Sequence, residues 1–83
     1  MVYLRKGAGP DGLYLKIGYT TDWRRKTLEL DKFTPWWELV NIIDGDLKLK
    51  FTIKEALKST GLHYRTDWYK YDQVVIDIFN SFV

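Results

Sequence analysis

The chain has no cysteine, two prolines, one histidine and one methionine in 83 residues, and no long apolar run. Each shortage removes a class of protein. Without cysteine there is neither a disulfide framework nor a Cys-type zinc site, a composition that suits a reducing cytoplasm, and a cytoplasmic location is the expectation. Residues Met1 to Lys6 lack the apolar segment of a signal peptide, and no stretch approaches the roughly 18 apolar residues that span a bilayer, so no membrane partner is expected. The net charge of +2 is too small for a protein that coats nucleic acid by bulk charge; such affinity must come from local clusters. What is present is a 46% hydrophobic and 17% aromatic fraction, which excludes a disordered chain. At this length the expectation is one domain over residues 1–83, with a core that uses nearly every large apolar side chain.

Val2-Tyr3-Leu4 is β-prone, residues 7–12 are dense in turn formers, and Leu13 to Gly18 resumes a strand pattern, which predicts a hairpin with a long tip. Period-two alternation would put Tyr14, Lys16 and Gly18 on one face and Leu13, Leu15 and Ile17 on the core face. Thr20, Thr21 and Asp22 are N-cap candidates for a short amphipathic helix over about 22–31, with Trp23, Thr27, Leu28 and Leu30 near one stripe and Arg24, Arg25 and Glu29 opposite. Residues 37–43 form a β-branched and aromatic third strand between Pro35 and Asp44-Gly45. Residues 47–54 alternate as a fourth strand would, yet Leu49, Ile53, Ala56 and Leu57 also make a helical stripe that Asp46 could cap, and the local pattern leaves the two even. Residues 59–66 read as a loop carrying His63. Val74, Val75, Ile78 and Phe79 predict a closing helix over about 71–79, capped by Asp72.

Lys16-Ile17-Gly18-Tyr19-Thr20 follows Tyr3 by thirteen residues and precedes the basic cluster Arg24-Arg25-Lys26. Pro35-Trp36-Trp37-Glu38-Leu39-Val40 and Asp67-Trp68-Tyr69 come later in the order that family members show. In this arrangement, over about residues 2–69, the chain resembles the GIY-YIG nuclease superfamily and, within it, the small phage and bacterial branch with Lys-Ile-Gly in its second motif. The resemblance implies an α/β fold: a small antiparallel three-stranded sheet flanked by helices, with a helix over about 46–59. In the family a tyrosine or lysine of the hairpin faces the nucleophilic water, an arginine of the first helix steadies the phosphate, and a glutamate of the second helix holds one divalent metal. A phosphodiester transition state needs such fixed positive charge on its oxygens.

Carried across, the resemblance implies catalytic positions at Tyr3, Lys16, Tyr19 and Lys26, with Arg25 adjacent. It departs from the family at two of the positions that matter most. The family arginine falls on Lys26, which lacks the planar fork that grips two phosphate oxygens. The family glutamate falls on Lys50, with Lys54 where a histidine follows, and a protonated lysine cannot ligate a metal. The first reading is therefore a DNA- or RNA-binding domain, catalytically weakened or inactive, whose face is lined by Lys16, Arg24, Arg25, Lys26, Lys50, Lys54 and Lys58 and which needs no cofactor. The alternative is an active endonuclease with magnesium or manganese on Glu55 or Asp67. A third reading is a protein-interaction module that uses exposed aromatics on a host protein or a second copy of itself. Against all three stand plainer roles. Strand tyrosines pack at least as often as they catalyse, lysines at four-residue spacing often make an ordinary wet helix face, and His63 reads as a loop residue rather than a base. Trp36, Trp37 and Trp68 read as packing residues, although a tryptophan exposed beside lysines could stack a base.

Overall fold

The computed structural model describes residues 1–33 and 37–83, and of Phe33 only the backbone; the expectation for Pro35 and Trp36 lies outside the described residues. Among the described residues five strands, three helices and a short 3-10 turn follow one another as β1 (Val2–Gly9), β2 (Gly12–Tyr19), α1 (Trp23–Phe33), β3 (Glu38–Ile43), α2 (Leu47–Leu57), the turn Lys58–Thr60, β4 (His63–Arg65), β5 (Trp68–Lys70) and α3 (Gln73–Asn80). The strands form one antiparallel sheet in the order β3-β1-β2-β5-β4. The α/β class is as expected; the expected three-stranded sheet is corrected to five strands. Among the described residues no helix is long and apolar enough to cross a membrane.

The two extra strands lie where the sequence reads as loop and terminal motif. His63-Tyr64-Arg65 and Trp68-Tyr69-Lys70 are β-prone, but the Thr66-Asp67 link lacks the Asn-Gly or Asp-Gly signature of a tight hairpin. Thr66 nonetheless takes a positive φ of 49°, a conformation that a β-branched residue adopts only at a cost. The first hairpin also differs from expectation. Pairing continues to Gly9 opposite Gly12, so the tip is short rather than long. Gly12 has φ 148°, open only to glycine, and a Cβ on Gly9 would run into the ring of Tyr14.

The ambiguity over residues 47–54 resolves as helix. The Asp46 side chain accepts from the Leu49 N–H at 3.0 Å, and Ile53 and Leu57 turn inward and are fully buried. Helix α3 is capped in the same way, with Asp72 accepting from Val74 N–H at 3.0 Å, and it buries Val75 and Phe79. Together α2 and α3 cover one sheet face, where Val2, Leu4, Leu15, Ile17, Ile43 and Tyr69 complete the core. Leu13, expected in that core, is half exposed because it sits at the hairpin tip, at the end of the row.

Helix α1 starts at Asp22, whose carboxylate accepts from Arg25 N–H at 3.1 Å. Its inward stripe is the expected one at Trp23, Thr27 and Leu30, with Lys26 in place of Leu28. Trp23, Lys26, Thr27 and Leu30 are the sheltered positions, whereas Leu28 is 65% exposed. At about 100° per residue, positions 26, 27 and 30 lie within a turn-face of Trp23, and position 28 falls on the far side.

Candidate nucleic-acid interface

The face of the sheet turned away from α2 and α3 carries Tyr3, Arg5 and Gly7 on β1, Tyr14, Lys16 and Gly18 on β2, and Trp68 on β5. Their cross-strand pairs are Tyr3 with Gly18, Arg5 with Lys16, Gly7 with Tyr14 and Lys16 with Trp68. Glycine at 18 lets the Tyr3 ring lie directly over β2, since any Cβ there would meet the phenol. The ring is buried and leans on Trp23 of α1, with centroids 5.2 Å apart. Burial first, then Asp67 and Glu29, raise the Tyr3 phenol above its ordinary value, against an opposing pull from Arg5.

Beside Tyr3, Arg5 is only 6% exposed, and its Nε is buried without a hydrogen-bond partner among the described residues. Its guanidinium carbon lies 4.9 Å from the centre of the Trp68 ring, and the Lys16 ammonium lies 5.6 Å from the same centre, both within cation–π range. Burial lowers Lys16 below the ordinary lysine range, and the like charges of Arg5, Lys26 and Lys50 push the same way while Asp67 opposes them. Lysine 16 is thus held in a crowd of cations.

The Asp67 carboxylate is the counter-ion at one side of this crowd. Lys50 donates to one oxygen at 2.9 Å and Lys54 to the other at 2.6 Å. The two lysines are one helical turn apart on α2, so both reach the same turn between β4 and β5. Partial burial pushes Asp67 up, but the hydrogen bonds from Lys54 and Lys50 outweigh it and hold the carboxyl below its ordinary value. The trio carries one net positive charge.

The structure therefore brings together Tyr3, Lys16, Lys26, Lys50, Lys54 and Asp67 from the sequence-derived set. It leaves others apart. Tyr19 is on the opposite sheet face, packed against the core. Arg25 lies about 200° around α1 from Trp23, its side chain is 79% exposed, and it pairs with Glu29 at 3.5 Å. Arg24 is exposed on the same helix. Lys58 continues the α2 row but turns outward to Glu55 at 2.8 Å, so neither belongs to the cluster. His63 donates from Nε2 to the Thr66 carbonyl at 2.8 Å, with its ring edge-on to Tyr69, and braces the β4–β5 hairpin. Arg5 is the member that sequence reasoning missed. Its signal was its alternation with Tyr3, two positions along the same strand face.

The side chains present do not suit a resident divalent cation. Both Asp67 oxygens are taken by ammonium groups, Glu55 is paired away from them, and among the described residues no three His, Cys, Asp or Glu side chains converge. Compared with known proteins, the chain matches no family model, no curated protein and no solved structure.

Proposed function

We propose that the chain is a nucleic-acid-binding domain built on a GIY-YIG-like scaffold, with the former catalytic face turned into a phosphate-holding one. One observation carries the reading: Arg5, Lys26 and Lys50 press their like charges on Lys16, Lys54 joins them through Asp67, and among the described residues Asp67 and Glu29 are the carboxylates that offset this group. Cations brought this close repel one another and lose solvation. A phosphate backbone relieves both costs and gains the entropy of released counterions. The Lys50–Asp67–Lys54 trio supports the loss of hydrolysis in the same reading. In the family that the sequence resembles, this region pairs a glutamate with a metal ion; here fixed ammonium groups supply positive charge without a Lewis acid to activate water or a leaving group.

Binding of labelled DNA and RNA across a salt series tests this. The expected affinity falls steeply with salt, and Lys50→Ala or Lys26→Ala lowers the log–log slope by about one unit each. Asp67→Asn is the sharpest variant. It removes the negative charge that occupies Lys50 and Lys54, so binding should tighten several-fold and its salt dependence steepen. In an active nuclease with a metal on Asp67 the same change would abolish activity. Robust magnesium- or manganese-dependent cleavage by the wild type, lost in Asp67→Asn and with chelator, would overturn the proposal in favour of the endonuclease.

A further inference from the structure

Trp68 has a second neighbourhood. Its ring also lines a cleft of about 280 Å³ at the hairpin end of the same sheet face, together with Tyr14, Tyr64, Arg65 and the Gly9-Pro10 turn. Tyr14 and Tyr64 lean on one another with centroids 4.7 Å apart, and Tyr64 remains 46% exposed. The walls are pinned. The Tyr14 hydroxyl is hydrogen-bonded to Asp11, which pushes its phenol up to about 12. Trp68 lies against the backbone at Gly7, 3.4 Å from where a Cβ would stand. Glycines at alternate positions 7 and 9 of β1 thus give two aromatic rings a flat floor, and Trp68 connects that floor to the guanidinium of Arg5 and the ammonium of Lys16.

We infer that this cleft is a stacking site for one unpaired base of a single-stranded nucleic acid, with the strand's phosphates running toward Lys16 past Arg65. The inference rests on the phosphate-binding reading above and narrows it from nucleic acid in general to single strands. Three features carry it. The lining is aromatic, with Tyr14 buried beneath, Trp68 half-buried and Tyr64 exposed, and an exposed ring accepts any base. The cations lie next to the aromatics rather than on a separate surface, as a backbone attached to a stacked base requires. The cleft, at about 280 Å³, also has room for an unpaired base, whereas a base pair inside a duplex does not offer its face.

The test compares a short oligothymidylate, an oligouridylate of the same length and a duplex of matched charge at low salt, with wild type, Tyr64→Ala, Tyr64→Phe and Tyr64→Leu. Both single strands, or one of them, should bind about tenfold more tightly than duplex, a margin that Tyr64→Ala and Tyr64→Leu remove and Tyr64→Phe keeps. Duplex affinity should be unchanged in all four proteins. Tyr64→Leu retains apolar bulk without a π-face, so it reads stacking even if the alanine variant loses its fold by circular dichroism. Duplex bound as tightly as both single strands, or single-strand affinity untouched by Tyr64→Leu, would overturn the stacking site while leaving the phosphate-binding reading intact. Absence of binding to all three ligands would overturn both.

Discussion

The two faces of the sheet are made by the same strands, residue by alternate residue, and they are opposites. On one face Leu4, Leu15 and Ile17 are fully buried against Ile53, Leu57, Val75 and Phe79 of the helices, an apolar core. On the other, Tyr3, Arg5, Lys16 and Trp68 form a layer of rings and cations. Burial on the first face is favourable by itself, at about 25 cal/mol per Å² of apolar surface. Burial on the second costs desolvation of charge, as the lowered pKa values of Arg5 and Lys16 record. A fold does not accumulate desolvated cations for stability. The helix-covered face carries most of the apolar burial, and the other carries the crowded charge.

Neighbours in sequence on opposite faces give the strongest way to break this contrast. Leu15→Ala should cost about 2–5 kcal/mol in urea unfolding, because the side chain is fully buried and leaves a cavity. Lys16→Met, one residue on, should leave stability unchanged or raised by about 1 kcal/mol, since it removes a crowded charge, while weakening nucleic-acid binding. A large stability loss from Lys16→Met would mean that the cation face is structural after all. Gly18→Ala comes next, at about 1–3 kcal/mol, because its methyl group must displace the Tyr3 ring; thermal unfolding measures it.

Asp67→Asn should cost about 1.5 kcal/mol at neutral pH through loss of two charge-assisted hydrogen bonds. Its pH signature has a definite sign. A carboxyl whose folded pKa is depressed contributes stability that is complete above the ordinary value near 3.9 and is lost as pH falls through the folded value, so the gap between wild type and variant should close on acidification. A gap that stays constant with pH would show that the two lysine contacts carry no charge-dependent stability. The smallest expected effect separates adjacent residues on α1. Arg25→Ala should change stability by less than about 0.5 kcal/mol and leave nucleic-acid affinity nearly intact, whereas Lys26→Ala should weaken binding without unfolding the protein. Equal effects on binding would extend the interface onto the exposed side of the helix.

Much of this contrast was legible in the sequence, because alternation and helical spacing are geometric. The positions of Leu15, Ile17, Lys16 and Val75, and the cap at Asp72, follow from pattern alone, whereas Ile53 and the Asp46 cap needed the helix that the resemblance implied, because the local pattern left strand and helix even. Two things were hidden. The β4–β5 hairpin turns through Thr66 in a conformation threonine rarely adopts, so no turn signal marked it. Asp67 then looked like a spare carboxylate, because its pairing with Lys50 and Lys54 depends on where that turn is placed. On α1, Leu28 was grouped with the inner stripe by its apolar character, and Arg25 was a candidate because it adjoins Lys26. The helical angle from Trp23 puts Leu28 and Arg25 away from the sheet and keeps Lys26, the position the resemblance implied, beside it.

The strand order β3-β1-β2-β5-β4 also bears on how the chain finds its shape. The central pair, β1 and β2, is made of the nearest neighbours in sequence, and every later strand adds to an edge that already exists: β3 beside β1, then the β4–β5 hairpin beside β2. No strand has to slip between two that are already paired. A nucleus in the first hairpin would therefore be cheap in loop closure, and it would already hold the row of Tyr3, Arg5, Lys16 and Gly18 before either covering helix docks. Folding kinetics would register this as slower folding from changes in β1 or β2, and as faster unfolding from changes in β4, β5 or α3.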